Sequence, residues 1–477
     1  MRAGSWLQNS VQRLLGNSHA GASSNKTSAS VDVIPAKPLQ ARTLPLPARA
    51  LRRPLQQLQL IVDPKVSEVE GGRRAESFSV WYNGISQAQK EDIWLLMSEY
   101  FGPDVREVSG ARQAYEEALG SAEEGTAEIR LRRSLISPRT RLLQRFAAYS
   151  GGMRFLVDLR AQILPYLKTN KRLVALDAEL EQLFSTWFDV AFLELRRLSW
   201  DSPASLVEKL IQYEAVHDIR SWGDLKNRLD SDRRCYGFFH PSLPNEPLIF
   251  VEVALLNDIA DSITPLLDES AAPQDIKKST VAIFYSISNT QTGLKGVSFG
   301  DSLIKRVVQV LREEFIKLRV FATLSPIPGF RSWASKNMEE LIGCLEPKEL
   351  QALGVAMQKS NPSAQDFLAV CDQAINWDEK SVLRKFLTRC AATYLGAAKQ
   401  GTHPADAVAR FHLSNGARIE RINWAADPSA KGMRQSYGLM VNYLYDLKRL
   451  DKYRKLLNSG DIPCVPEIQQ LIINLKK

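Results

Sequence analysis

Val281-Ala282-Ile283-Phe284-Tyr285-Ser286-Ile287-Ser288 is the run from which the architecture of the chain's second half follows. Its apolar and β-branched residues, followed by turn-forming sequence, read as a strand. A loop bearing Gly293, Gly296 and Gly300 comes next. Then Leu303, Val307, Val310 and Leu311 mark one face of a helix predicted over 302–315. Arg319 to Leu324 reads as a further strand and runs into Ser325-Pro326-Ile327-Pro328-Gly329-Phe330. Neither proline can donate a ladder hydrogen bond, so the strand must end or splay there.

Upstream, Cys235 to Phe239 and Leu248 to Val253 read as strands, with Pro241 to Pro247 turning between them. Ser202-Pro203 caps a helix before them, and residues 335–400 return to helical spacing. Asn415-Gly416, flanked by Phe411/Leu413 and Ile419/Ile422, is a two-residue hairpin signal. That places His412 on a strand, its side chain facing away from those of Phe411 and Leu413. Strands mixed with helices indicate an α/β or α+β catalytic half.

Residues 63–197 read as helical. Ser86 and Gln89 form a capping-box pattern ahead of Ile93 to Met97, and Gly102-Pro103 stops that helix. Ser137-Pro138 places a cap and then proline at the first helical position. Leu173, Leu176, Leu180, Leu183, Phe184 and Trp187 recur at spacings of three and four. Nothing in this half is arranged for chemistry; it suits packing and subunit assembly. The expected domains are a disordered basic tail over 1–62, a helical oligomerisation domain over 63–200 and a catalytic domain over 201–477.

The net charge of +9 suggests a polyanion partner, but its distribution does not. Residues 1–62 hold eight basic residues against the single acid Asp32, whereas the other 415 hold 54 basic and 52 acidic residues. The body is nearly neutral, which argues against nucleic-acid binding. No apolar run approaches the roughly 18 residues that span a bilayer. The five cysteines match no zinc or redox spacing and read as reduced thiols. In the tail, Trp6, Leu7, Val11, Leu14 and Leu15 recur at helical spacing beside Arg2 and Arg13, a pattern shared by organelle transit peptides, docking helices and unstructured leaders.

Three places could carry chemistry. The glycine loop before a helix lets backbone N–H groups approach a phosphate, with Lys295, Lys305 or Arg306 adding charge. It is neither a Walker sequence nor GxGxxG, and on its own it is a weak signal that reads first as a plain strand–helix turn. Ser325 ends a strand, where ligands of α/β sheets sit, though by itself it reads first as a turn serine. No Gly-x-Ser-x-Gly elbow surrounds it, so it is not read as an acylated nucleophile. His412 is one of five histidines, with His19, His217, His240 and His403.

Taken together, these segments resemble the malonyl-CoA decarboxylase family. The resemblance rests on Ala282 to Ser288, on Ser325-Pro326-Ile327-Pro328-Gly329-Phe330 and on Phe411-His412-Leu413-Ser414-Asn415-Gly416. It continues through Arg421-Ile422-Asn423-Trp424 and Gly438-Leu439-Met440-Val441-Asn442-Tyr443, covering about Ser202 to Tyr445 most strongly. It implies a multidomain α and α/β protein: an all-helical N-terminal bundle, then a catalytic domain of the N-acetyltransferase superfold with helical insertions. That superfold binds coenzyme A between its central strands. The resemblance places coenzyme A contacts on Lys295, Gly296, Val297, Ser298, Phe299, Gly300 and Asp301. Many relatives carry an acidic residue where this chain has Ser298.

The resemblance further implies that Ser325 contacts malonyl-CoA, that His412 is catalytic and that Tyr445 is a secondary site residue. The expected reaction converts malonyl-CoA to acetyl-CoA and CO2 with no metal or organic cofactor, because the thioester carbonyl is itself the electron sink. A coenzyme A-dependent acyltransferase on the same fold is the alternative. The expected assembly is a homotetramer. The expected location is a bacterial cytoplasm, or the mitochondrial matrix if the tail is a transit peptide; the ending Asn474-Leu475-Lys476-Lys477 departs from the peroxisomal Ser-Lys-Leu of some relatives.

Overall fold

A computed structural model describes residues 48–297 and 303–475. The chain clusters into two units: the residues up to Trp187 together with Gln291–Val297, and Phe188–Thr290 together with the residues from Ser298 onward.

The first unit is helical. Eight α-helices run from Ala48–Val62 to Val174–Trp187. The capping box forms as expected: Ser86 Oγ accepts from the Gln89 N–H, and the Gln89 side chain accepts from the Ser86 N–H at 2.9 Å. Ser137 precedes Pro138–Ala147 but makes no side-chain cap; its hydroxyl donates to Glu179 at 2.7 Å instead. The core gathers Phe78, Tyr82, Trp94, Phe146, Phe155, Leu180 and Phe184. Phe146 stacks on Phe155 at 5.0 Å, and Trp94 Nε1 donates to the Tyr82 hydroxyl at 2.6 Å.

The sequence suggests disorder over most of 1–62, but Ala48–Val62 is a helix whose Leu58 and Ile61 are fully buried. Apolar residues at Leu51, Pro54, Leu58 and Ile61 recur at three and four and give it a packing face. The sequence suggests helix through 197, but Glu194–Leu198 is a strand, β1. Only Leu198 of its side chains is buried, so its alternation is faint; pairing with the next strand holds it.

The second unit is built on an eight-stranded mixed sheet. After β1 come β2 (Arg233–Phe239), β3 (Pro247–Leu256), β4 (Val281–Asn289), β5 (Val320–Thr323) and β6 (Ser325–Pro326). A two-stranded hairpin, β7 (Lys399–Gln400) and β8 (His403–Pro404), lies apart from the sheet, followed by β9 (Arg418–Asn423) and β10 (Met440–Leu444). The sheet order is β1-β2-β3-β4-β5-β10-β6, with β9 on β10. Among the strands of the described residues, only β4 and β5 pair in parallel, from Val281 opposite Val320 to Phe284 opposite Thr323. The last bond between them runs from the Leu324 N–H to the Phe284 carbonyl at 3.0 Å. Beyond it β4 continues to Asn289, while Ser325 and Pro326 pair with Val441 and Met440 of β10. The parallel strands part where Pro326 and Pro328 follow Ser325, as the missing donors require. A register shift against β3 leaves Tyr285 as an extra residue on β4 at this point, the signature of a bulge.

The helix expected after the glycine loop is Leu303–Glu314, with Val307 and Leu311 fully buried. The hairpin expected at Asn415-Gly416 does not form. Ala407–Ser414 is a helix, capped by Asp406, whose carboxylate accepts from the Val408 and Ala409 N–H groups at 2.9 Å each. Gly416, at φ +86°, ends it with its N–H on the Leu413 carbonyl. An Asn-Gly pair serves a helix C-terminus as readily as a hairpin, because both need a positive φ.

Candidate active site

Ser325, His412 and Tyr445 meet on one face of the sheet. Ser325 Oγ lies 3.2 Å from His412 Nε2, and His412 Nδ1 lies 2.7 Å from the Tyr445 hydroxyl. Ser325 is 5% exposed and His412 3%. The two come from distant segments: Ser325 opens β6, and His412 sits in the last turn of the Ala407–Ser414 helix. Tyr445 follows β10 and donates its N–H to the Phe321 carbonyl at 2.9 Å.

The hydrogen bonds fix the direction of the protons. Ser325 Oγ donates to Thr323 Oγ1 at 2.9 Å, on the same face two residues earlier. A hydroxyl has one proton, so the bond between Ser325 and His412 takes its proton from Nε2. Nδ1 is then bare and accepts from the Tyr445 hydroxyl. The run is Tyr445 O–H to Nδ1, Nε2–H to Ser325, and Ser325 O–H to Thr323, whose Oγ1 also accepts the Tyr443 N–H at 3.1 Å. The imidazole stacks on the Tyr443 ring at 4.7 Å.

Burial pushes the His412 imidazole down from 6.5 to about 3, and among the described residues no carboxylate opposes it. The ring is neutral at pH 7. The helix C-terminus favours a cation there, but desolvation outweighs it. Burial likewise pushes the Tyr445 phenol well up, so it is a protonated donor. Asp406 ties the two halves of the site together. Its carboxylate caps the helix carrying His412, accepts from the Tyr394 hydroxyl at 3.3 Å and takes a backbone hydrogen bond from Gly329 of the Ser325–Phe330 segment.

The residues expected on coenzyme A divide differently. Lys295, Gly296 and Val297 belong to the first unit; Lys295 and Gly296 are exposed and Val297 is buried. Ser298, Phe299, Gly300 and Asp301 lie outside the described residues. Arg306, weighed as a phosphate contact, donates to the Leu193 carbonyl at 2.5 Å. On β4, the Ser286 and Ser288 hydroxyls donate to buried Glu214 at 2.7 and 3.0 Å. Among the described residues, no group of three or more His, Cys, Asp or Glu side chains is placed to hold a metal ion, and no helix is long and apolar enough to cross a membrane.

Sequence reading missed Thr323, Tyr443 and Asp406. Thr323 is recoverable, since residues two apart on a strand share a face. Asp406 is recoverable as a helix cap once Ala407–Ser414 is read as a helix.

The sheet order and the parting parallel pair make the second unit an acetyltransferase-like α/β domain, preceded in the chain by a helical domain. Residues 191–477 match the family described as Malonyl-CoA decarboxylase C-terminal domain, and residues 101–188 its N-terminal domain. The chain is 36% identical over 416 residues to the mitochondrial malonyl-CoA decarboxylase of Mus musculus, covering 83% of this chain and 84% of that protein. The crystal structure of malonyl-CoA decarboxylase from Rhodopseudomonas palustris superposes with a TM-score of 0.75 at 38% identity, covering 88% of this chain and 99% of that one. The one from Cupriavidus metallidurans gives 0.72 at 40%, covering 89% and 100%. The chain belongs to the malonyl-CoA decarboxylase family.

Proposed function

We propose that this chain converts malonyl-CoA to acetyl-CoA and CO2, with Ser325 and His412 at the acyl end of the substrate. The observation that carries the reading is the buried hydrogen-bonded run from Tyr445 through His412 and Ser325 to Thr323. Family membership supplies the substrate.

The bond from the carboxylate carbon to the methylene breaks, and its electron pair passes into the thioester as an enolate. CO2 leaves, and the methylene carbon takes a proton. One proton is therefore consumed per turnover, and the site must supply it. Free His412 is neutral and cannot give it up as an imidazolium. The substrate's own carboxylate changes this, because an anion brought beside Nε2 favours the charged ring. His412 then gains a proton as malonyl-CoA binds and delivers it from Nε2 when CO2 departs. The Tyr445 hydroxyl, a donor to bare Nδ1, turns to accept from Nδ1–H, so it holds the ring in both states. Ser325 releases Thr323 and donates to the malonyl group, fixing the breaking bond across the carbonyl plane. The site excludes water from a carboxylate that disperses its charge as CO2 leaves.

Lys295, Gly296 and Val297, with the residues to Asp301, are proposed to hold the pyrophosphate. Pantetheine is proposed to lie along Tyr285 to Ser288, beyond the point where β4 and β5 part. Assembly as a homotetramer through the helical unit is supported by exposed Leu60, Leu135 and Ile136, at 47, 53 and 64% exposure. The basic, acid-poor first 62 residues support a mitochondrial destination as the alternative to a bacterial cytoplasm.

The test is purified protein with malonyl-CoA and no acceptor. Equal amounts of acetyl-CoA and CO2, with one proton taken up for each, support decarboxylation. Turnover only after an acceptor is added supports the acyltransferase alternative.

A further inference from the structure

We infer that Arg160 is a positioning residue for substrate binding, holding the Gln291–Val297 segment in the shape that meets the coenzyme A pyrophosphate. The inference rests on the proposed coenzyme A role of Lys295 and its neighbours. Arg160 lies on the helix Gly152–Ile163 and is 1% exposed. Its Nε donates to Asp177 at 2.8 Å and its Nη2 to Glu181 at 3.0 Å. These two carboxylates lock the planar guanidinium. That aims Nη1 at two carbonyls of the segment, Gly293 at 2.9 Å and Lys295 at 2.8 Å.

The consequence follows from peptide geometry. A trans peptide places its N–H opposite its C=O. Pinning the Lys295 carbonyl to Arg160 therefore turns the Gly296 N–H away from the helix, at an exposed position beside the Lys295 side chain. An outward N–H next to an ammonium suits a phosphate oxygen. The same helix face fixes the segment at two further points. Arg154 Nη1 donates to Gln291 Oε1 at 2.5 Å, and a Cβ on Gly293 would stand 1.9 Å from the Val157 carbonyl oxygen. Residues 154, 157 and 160 are one turn apart, so a single helix stripe carries the whole segment.

The test compares malonyl-CoA with malonyl-pantetheine, which lacks the pyrophosphate and nucleotide, on the purified full chain. Arg160→Met should lower the ratio of kcat/KM for malonyl-CoA over malonyl-pantetheine by roughly 10–100-fold, mainly through KM for malonyl-CoA. Gly293→Ala should lower the same ratio with the guanidinium intact, and Arg160→Lys should recover part of it. A purely structural role for Arg160 would depress both substrates together. That result, or an unchanged ratio in both Arg160→Met and Gly293→Ala, overturns the inference. Lys295→Glu separates it from the reading beneath it. If Lys295→Glu leaves the ratio unchanged, the pyrophosphate assignment of the loop fails. If Lys295→Glu lowers the ratio while the Arg160 and Gly293 variants do not, the loop reading stands and Arg160 does not position it.

Discussion

Ser325 Oγ and His412 Nε2 stand 3.2 Å apart although 87 positions separate them in the chain. Each reaches the other through a break in regular structure: a strand stopped by proline, and the last turn of a helix. Groups so placed act as a unit. Ser325→Ala and His412→Asn should each slow turnover. The double variant should be far less impaired than the product of the two losses. Multiplicative losses in a double-mutant cycle would mean that the two residues work independently.

Tyr445→Phe removes the hydroxyl that donates to His412 Nδ1 and leaves the ring in place. Turnover should fall roughly 3–10-fold, the worth of one neutral hydrogen bond, with KM little changed. Steady-state kinetics would show it. A fall as deep as that of His412→Asn would make Tyr445 the proton donor instead.

Much of this architecture is legible in the residues, and the exceptions have physical causes. The runs at Val281, Leu248 and Arg319 are buried and bounded by turn formers, so they read as strands and are strands. The capping box at Ser86 is local and forms. Asn415-Gly416 misleads because one chemistry serves two structures, and Asp406, nine residues before Asn415, decides for the helix. β1 misleads because one buried side chain in five leaves no alternation to read. By pattern alone His412 is one histidine among five; the family resemblance singles it out. Arg160 carries no local signal, since its carbonyl partners lie 133 and 135 residues away.

The helix Ala48–Val62 changes what truncation should do. A chain beginning at Ala48 should keep its melting temperature. A chain beginning at Asp63 loses buried Leu58 and Ile61, side chains worth about 2–5 kcal/mol each in a packed core. Its thermal unfolding should move down by several degrees. Equal melting temperatures for the two would show that this helix contributes nothing to the helical unit.

Acid should destabilise the fold through two buried histidines. Burial lowers His412 to about 3 and His217 to about 4, against 6.5 for the free side chain. The unfolded chain therefore binds protons below pH 6.5 that the native chain refuses. The stability these rings contribute is present above pH 6.5 and is lost as pH falls toward 4 and then 3. Each ring contributes on the order of a few kcal/mol. Denaturant midpoints between pH 7 and 4 should fall, and His412→Asn should make the decline shallower. An equally steep decline in that variant would show that His412 is already charged in the native state.

Turnover of malonyl-CoA by His412→Asn, measured beside the unaltered chain with no acceptor present, is the decisive comparison, because His412 is the proposed proton donor. The unaltered chain should release acetyl-CoA and CO2. His412→Asn should do so roughly 10²–10⁴-fold more slowly, the usual contribution of a positioned proton donor. Coenzyme A binding should survive in the variant, because His412 is assigned to the acyl end. Near-native turnover in His412→Asn would contradict the account, and the proton would then have to come from another group in the site.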